Sequence, residues 1–527
     1  MGPSGAAGQF REVDCEMSIR VNWTGLTGCV LTLGLTACAV GPDFKRPAAP
    51  AARDYGAASA SVPTASSEGV GGSAQRFVAG ADIPGQWWTL FRSPALDALL
   101  QQALKNNPTL QGAQAALRQA NETVAAQRGT YFPQVQANYS FTRQKNATGT
   151  LQPTLNSGEA LFNLHTAQVN VSYMLDIFGA NRRQVESLQA QADFQRYQLE
   201  ATYLTLTSNV VTAAVQEASL RAQIAATADI VRSEREAAQI LRHQYELGSI
   251  AMTDVMAQEA TLAATEATLP PLQKQLEQQR HLLTALAGRF PSDEPTEKFE
   301  LADLTLPQEI PVSLPAALVT QRPDVLSAEA QLHSASAEVG VAIANLLPQI
   351  TLSGSEGGTS TVLNQLFASG NTFWSAGASL TQTLFAGGTL VHRKRAADAA
   401  LDQAGAQYRS VVLTAFQNVA DSLTALKLDA EAVSASLRAQ KAAEDSLGAT
   451  RRNVELGSMS YLALLNAEQT YQQAVLNLAQ ARANRYSDTA ALFQALGGGW
   501  WNNAAYPRDV SRQASVIAPA LTSADTK

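Results

Sequence analysis

The chain contains one structural unit twice. Asn107-Pro108, with Phe-Pro-Gln-Val 25 residues downstream, returns as Arg322-Pro323 with Leu-Pro-Gln-Ile 25 residues downstream, and the two prolines are 215 positions apart. Further along, a Glu-Leu-Gly-Ser segment around Gly248 returns around Gly457, 209 positions later. Sequence motifs that return in the same order predict two copies of one supersecondary unit. The second copy has six residues fewer between the proline motif and the glycine motif.

Each copy begins with a predicted helix and continues with two strands. Residues 110–128 and 325–346 are rich in Ala, Gln and Leu and follow a proline, which is tolerated in the first turn of a helix. Strict alternation of apolar and polar residues then predicts strands with one apolar and one polar face. The alternating segments are residues 134–142 and 168–177 in the first copy, and 349–355 and 373–385 in the second. Loops are predicted between them at 145–161 and 357–371.

Very long helices follow the strands. Residues 180–247 contain no glycine or proline over 68 positions, which corresponds to roughly 100 Å of helix at the usual rise per residue. A returning run at 249–287 is interrupted only by Pro270-Pro271, and its counterpart at 458–496 lacks both residue types. The runs meet at Gly248 and Gly457, where glycine can take the left-handed conformation that ends a helix. Each copy is therefore predicted to be a hairpin of long helices with a strand hairpin at its far end.

The N-terminus is typical of a secretory signal. Residues 25–37 form an uncharged, largely apolar run behind Arg20, too short to span a bilayer, and Met17 is the better start for such a signal. The run ends in Leu-Thr-Ala followed by Cys38, which resembles the lipobox of bacterial lipoproteins. We therefore predict a signal peptide over 1–37 and lipid on Cys38; an ordinary buried cysteine is the alternative. Alanine at position 39 lacks the aspartate associated with inner-membrane retention and favours the outer membrane.

Composition removes several classes of function. The formal net charge is -7 and the pI is about 5.4, so the chain lacks the basic surface that nucleic-acid binding requires. All three cysteines lie within the first 38 residues, which excludes a disulfide or thiolate metal site in the rest. No Walker loop, HExxH or GxSxG motif is present, so an enzyme is not expected. No uninterrupted apolar run of spanning length follows the N-terminus, so any membrane span is expected to use strands.

The strands imply an oligomer. A membrane barrel needs an apolar outer face and a polar lumen, as these alternating segments have. Four strands cannot close, and open edges in lipid leave backbone groups without partners. Because closed bacterial barrels begin at about eight strands, at least two copies would be required. A soluble sandwich with one solvated face is the alternative.

The order of these marks resembles the outer-membrane efflux proteins of the TolC-like superfamily, in the NodT-type lipoprotein branch that serves resistance-nodulation-division (RND) pumps. The marks that carry the resemblance, besides the duplicated Pro and Leu-Gly-Ser positions, are Cys38 with Val40-Gly41-Pro42-Asp43-Phe44, Gln86-Trp87-Trp88 with Phe91, Leu384-Phe385-Ala386-Gly387-Gly388, and Ala495-Leu496-Gly497-Gly498-Gly499-Trp500.

The resemblance implies a mixed α/β membrane protein that works together with partner proteins. It implies a homotrimer with a twelve-stranded transmembrane β-barrel and a long periplasmic α-barrel, which passively conducts cargo delivered by a periplasmic adaptor and an inner-membrane RND pump. The outer membrane supplies its lipid environment, and no cofactor is expected besides the covalent lipid on Cys38. The predicted division is a lipidated extended segment at 38–95, a first repeat at 96–289, a linker at 290–310, a second repeat at 311–501 and a disordered tail at 502–527.

The resemblance also places a gate and adaptor contact at the helix turns. Its candidates in the first copy are Gly248, Thr253 and Asp254; helix capping by Thr253 or Asp254 is the alternative. Its candidates in the second copy are Arg452, Gly457, Tyr461 and Asn466, where asparagine stands at a position at which family members often carry aspartate; surface packing is the alternative for Arg452 and Tyr461. A duct for type I protein secretion and a periplasmic coiled-coil scaffold are the competing functions.

Overall fold

The computed structural model describes residues 39–52, 54–55, 62–145, 161–293 and 297–503, all within one compact unit that begins at Ala39. The predicted signal peptide, Cys38, most of the first strand loop and the tail beyond residue 503 lie outside the described residues. The strands are β1 (Arg76–Ala79), β2 (Gln134–Lys145), β3 (Leu161–Leu175), β4 (Glu309–Val312), β5 (Gln349–Ser360) and β6 (Thr372–Thr381). The helices are α1 (Pro94–Asn106), α2 (Pro108–Arg128), α3 (Ala180–Glu246), α4 (Met252–Glu266), α5 (Leu269–Leu286), α6 (Pro315–Gln321), α7 (Pro323–Ala344), α8 (Thr389–Glu455) and α9 (Tyr461–Ala495).

The predicted duplication is confirmed element by element. Helices α2 and α7 each begin at a proline, and α3 and α8 each contain 67 residues and follow a glycine in the left-handed region. The returning helices differ between the copies: α9 runs unbroken for 35 residues, whereas the first copy is divided into α4 and α5. The division falls beside Pro270 and Pro271, which lack the N–H that a continuous helix needs.

The four predicted strands form one antiparallel sheet in the order β2-β3-β5-β6. The loop predicted to begin at residue 357 is wrong, because β5 continues through Gly357 and Gly358 to Ser360. These glycines permit close approach within the sheet rather than a turn: a Cβ at Gly357 would lie 2.4 Å from the carbonyl oxygen of Ala167 on β3. The predicted extension of the last strand to residue 385 is also wrong, since β6 ends at Thr381.

A second, two-stranded sheet was not predicted. Strands β1 and β4 pair in parallel, with Arg76 opposite Glu309 and an ion pair between those two side chains. β4 overlaps the end of the segment predicted as a linker. Each strand has only four residues, too few for an alternation pattern, and the partners are separated by more than two hundred positions.

The largest apolar side chains lie where the N-terminal segment crosses the helices. Trp87 stacks on Phe493 with ring centroids 5.3 Å apart, and both residues are completely buried. Arg485 on α9 is also completely buried and donates hydrogen bonds to the carbonyl oxygens of Gly71 and Ser73, both at 2.7 Å. The N-terminal segment is thus fastened to the second copy by both apolar and polar contacts.

Within the described ranges, no helix combines the length and apolar character needed to cross a bilayer.

Candidate functional site

The two helix turns have the same geometry. Gly248 and Gly457 lie in the left-handed region, at φ +74° and +69°. Ser249 N donates to the carbonyl of Gln244, and Ser458 N donates to the carbonyl of Asn453, each at 2.9 Å. These hydrogen bonds close the last turn of α3 and of α8 in the manner of a Schellman motif. Glycine is required at both places because a Cβ would be strained in this conformation.

The alternative explanation of Thr253 and Asp254 as helix caps is wrong. The N-cap of α4 is Ala251, which makes no side-chain capping hydrogen bond. Thr253 is exposed and Asp254 is half-buried in the first helical turn, where its carboxylate faces the positive end of the helix dipole. Both side chains therefore remain available for contacts beyond their own helix.

The predicted residues of the second turn separate into two groups. Tyr461 is half-buried, and its hydroxyl donates to Oε1 of Gln258 on α4 at 2.6 Å. Arg452 and Asn466 are exposed, and neither side chain makes a polar contact within the described part of the chain. The surface-packing alternative therefore describes Arg452 better than Tyr461, which joins the two helix hairpins.

The residues that accompany Tyr461 were missed by the sequence analysis. Gln258 is completely buried and donates through Nε2 to the carbonyl oxygen of Glu234 on α3 at 3.0 Å. On the other side, Arg451 reaches Ser233 on α3 at 3.2 Å and Glu468 on α9 at 3.4 Å. We call Glu234, Gln258, Arg451, Tyr461 and Glu468 the hairpin junction. Glu468 could have been predicted from the sequence, because it follows Tyr461 by seven residues and so lies on the same helix face.

Burial sets the protonation behaviour of the hairpin junction. Desolvation raises the pKa of the Glu234 carboxyl to about 7, assisted by the nearby charge of Glu468 and opposed by the hydrogen bond from Thr265. Desolvation also raises the pKa of Glu468, although Arg451 lowers it. The pKa of Tyr461 is raised by burial and by both carboxylates, so its hydroxyl stays a proton donor.

At the opposite end of α3, the N-terminal segment packs against the junction between strand and helix. Val40 N donates to the carbonyl oxygen of Phe178 at 3.1 Å, and Arg183 binds Asp43 at 2.6 Å. A Cβ at Gly179 would lie 2.6 Å from the Cβ of Ala39, so only glycine allows this approach. The first described residues are therefore held beside the base of the four-stranded sheet.

One face of the sheet is largely apolar. The register places Val135 opposite Val171 on β2 and β3, and Ile350 lies between Leu175 and Leu380 on the neighbouring strands. Apolar residues of all four strands therefore share one side, together with Glu356. Trp374 is 79% exposed, and Phe385, just beyond the sheet, is 89% exposed. The outer strands, β2 and β6, each pair on one edge only within the described sheet. Large apolar side chains exposed to this extent mark a contact surface.

The comparison with protein families decides the identity. The model for "Outer membrane efflux protein" matches residues 99–289 and 314–498, one segment in each copy. The chain belongs to the outer membrane efflux protein family.

Curated relatives and solved structures agree with this assignment. The toluene efflux pump outer membrane protein TtgC of Pseudomonas putida is 28% identical over 94% of this chain and its own full length. Nodulation protein T of Rhizobium leguminosarum bv. viciae is 27% identical over 94% of this chain and 97% of its own. The solved outer-membrane channel OprN has a TM-score of 0.78 at 28% identity and covers 88% of this chain and all of its own.

Family membership fixes the general role and location. As an outer membrane efflux protein, the chain is a non-enzymatic channel subunit of the outer membrane, and its long helices extend into the periplasm. The predicted TolC-like fold, mostly helical with a few antiparallel strands, is confirmed. The alternative of a periplasmic coiled-coil scaffold does not account for the four-stranded sheet.

Proposed function

We propose that three copies of this chain form the exit duct of a tripartite efflux pump, together with a periplasmic adaptor protein and an inner-membrane RND pump. The duct passively conducts cargo to the exterior and is gated at the Gly248 and Gly457 turns. The observation that carries the proposal is the four-stranded sheet with an exposed apolar face and two open edges.

Oligomerisation removes the free-energy cost of leaving the two strand edges unpaired in a bilayer. Each unpaired backbone group facing lipid costs several kcal/mol, so a sheet with free edges is unstable in a bilayer. Pairing β6 of one copy with β2 of the next removes every free edge when the ring closes. Three copies supply twelve strands, an even number within the range of bacterial barrels.

The long helices favour the same assembly. The exposed side chains of α8 include Leu413, at 72% exposed, and Leu428, at 55% exposed, and both lie far from either sheet along the chain. A neighbouring copy would cover such residues and complete a tube of helices. Helices of 67 residues, roughly 100 Å long, reach far enough below the membrane to meet a periplasmic adaptor.

We propose that Cys38 carries lipid that anchors the base of the channel. Ala39, its covalent neighbour, packs on Gly179 at the start of α3. This supports an anchor at the level where the sheet joins the helices. The lipid and the barrel would then both hold the protein in the membrane.

We further propose that the duct does not select its cargo. Relatives named for toluene efflux, antibiotic efflux and pyoverdine export are each 28% identical to this chain. Their percentage identity to this chain is the same although the named cargoes differ. Selection is therefore assigned to the pump that delivers the cargo.

The test combines membrane fractionation with sizing. Cells expressing the full chain are labelled with palmitate, and the outer-membrane fraction is extracted in mild detergent and measured by light scattering. A labelled species with three times the protomer mass supports the proposal. Cys38→Ala should lose the label, whereas Cys29→Ala, within the predicted signal peptide, should keep it. An unlabelled monomer in the soluble fraction would contradict both the trimer and the anchor.

A further inference from the structure

Two buried carboxylates lie between the two helix hairpins, on the periplasmic side of the fold. Glu234 on α3 is 1% exposed and precedes Gly248 by fourteen residues; Glu468 on α9 is 5% exposed and follows Gly457 by eleven. At the usual helical rise, both lie roughly 15–20 Å from the turns. They line the same cavity between the hairpins, a short way along the helices from both turns.

Each carboxylate has one oxygen without a partner. Oε1 of Glu234 accepts a hydrogen bond from the Thr265 hydroxyl at 3.1 Å, and Oε1 of Glu468 accepts from Arg451 at 3.4 Å. Within the described residues, Oε2 of both side chains is buried and receives no hydrogen bond. A buried ionised oxygen in this condition is costly, and adding a proton removes the cost.

The surroundings do not neutralise two negative charges. Arg451 contacts Glu468 but makes no ion pair with Glu234 in the described structure, and its 3.4 Å approach to Glu468 is long for a charged hydrogen bond. Its side chain is 47% exposed, so water screens part of its charge. Nearby Arg235 binds Glu266 and nearby Arg232 binds Asp229, so both guanidinium groups are already engaged.

The same two residues line a cavity of about 430 Å³ between α3, α8 and α9. The pair therefore lies beside a space through which protons can exchange with solvent. The titratable and charged groups that face the pair are, by element, Asp229 on α3, Glu266 on α4, Glu444 and Arg451 on α8, and Tyr461 and Tyr471 on α9. Of these neighbours, Glu266 adds to the effect of Glu468 in raising the pKa of Glu234, which favours a bound proton.

We propose that Glu234 and Glu468 form a proton-operated latch: the protonated pair holds the two hairpins together, and loss of its protons loosens the hairpin junction so that the tips open more readily. This inference rests on the proposed function, because it assigns a control to the gate of that duct. The latch acts within one protomer, between α3/α4 and α8/α9, and assembly would place three latches around the duct.

The direction of the effect follows from linkage. Burial raises the pKa of Glu234 from its ordinary value to about 7 in the closed packing, so the closed packing binds protons more tightly than an opened one in which water reaches the carboxylates. The latch is therefore fully effective below about pH 4.5 and is lost progressively as the pH rises from there through about 7. Acidification of the periplasm would favour closure.

The experiment is single-channel recording of the full-length protein in planar bilayers at pH 5 and pH 8. The wild type should show an open probability that rises on the order of tenfold between the two conditions. Glu234→Gln and Glu468→Gln mimic the protonated side chains at nearly the same volume and should stay mostly closed at both pH values. Glu444→Gln, at an exposed carboxylate lining the same cavity, should retain the wild-type response.

A second measurement does not depend on changing the junction. A spin label at Ile240→Cys, an exposed position on α3, reports the distance between protomers near the tips. That distance should increase from pH 5 to pH 8. Equal pH responses in the wild type and both glutamine variants, or an unchanged label distance, would overturn the latch. A protein that conducts under neither condition would instead contradict the proposed function.

Discussion

The hydroxyl of Tyr461 on α9 donates a hydrogen bond of 2.6 Å to Oε1 of Gln258 on α4 and thereby connects the returning helices of the two copies. Gln258 is completely buried, and its amide nitrogen is already committed to the carbonyl oxygen of Glu234. The bond therefore sits within a continuous polar chain from α9 through α4 to α3. A substitution at either end of this series of hydrogen bonds should therefore change how the hairpin tips pack.

Removing the Tyr461 hydroxyl should favour opening. Tyr461→Phe leaves a buried amide oxygen without its donor, which costs about 1–2 kcal/mol per protomer. The expected result is a higher open probability in planar bilayers and greater sensitivity of cells to a large antibiotic that the outer membrane normally excludes. Tyr471→Phe is the matched control, because the hydroxyl of Tyr471 makes no hydrogen bond within the described residues. Equal behaviour of the two variants would remove Tyr461 from the gate.

Asp254 should restrict the closed channel. It lies in the first turn of α4, directly after the Gly248 turn, and does not cap its helix. If its carboxylate lines the constriction, Asp254→Ala should raise closed-state conductance and reduce the preference for cations. Glu246→Ala, at an exposed carboxylate on the other side of the turn, should have little effect. An unchanged conductance in Asp254→Ala would count against the gate assignment.

Arg485 should hold the N-terminal segment on α9. Its guanidinium donates to Thr64 as well as to the carbonyl oxygens of Gly71 and Ser73. Arg485→Met would leave buried acceptors without donors at a cost of about 3 kcal/mol or more. Limited proteolysis should then cleave within residues 62–75 at a protease concentration that leaves the wild type intact. Arg482→Met, on the same helix but without a hydrogen bond in the described structure, should remain resistant.

Glu200 should make the folded protein less stable at higher pH. It is 4% exposed on α3, one carboxylate oxygen has no partner among the described residues, and burial raises its pKa from 4.5 to about 7. The folded state therefore binds the proton more tightly, and stability present in acid falls as the pH rises from about 4.5 through about 7. Glu200→Gln should raise the thermal midpoint at pH 8 and have little effect at pH 4. A gain of the same size at both pH values would show that the charge is not responsible.

The long helices and the strand hairpins were predictable because their signals are local. Absence of glycine and proline over 68 residues leaves helix as the favoured state, and α3 begins where that run begins and ends one residue before it does. Alternation likewise located the four strands of the sheet. The loop prediction at residue 357 was wrong because consecutive glycines are typical of loops, whereas Gly357 and Gly358 allow close packing within a strand.

The hairpin junction was less accessible because it depends on how two long helices rotate against each other. Arg451 and Arg452 are adjacent in sequence but point about 100° apart on a helix, and only Arg451 faces α3 and α9. Arg452, the residue predicted from the sequence, is exposed and makes no such contact. The gate role of Tyr461 stays a prediction, and its hydrogen-bond partner Gln258 carries no local signal of burial in the sequence.

The central claim, that this chain is the protomer of an outer-membrane duct, is tested most directly by recording from purified full-length protein whose mass is measured in the same detergent preparation. The predicted result is a trimer that inserts into planar bilayers in discrete conductance steps. A monomer that leaves bilayer conductance unchanged at every pH tested would contradict the account.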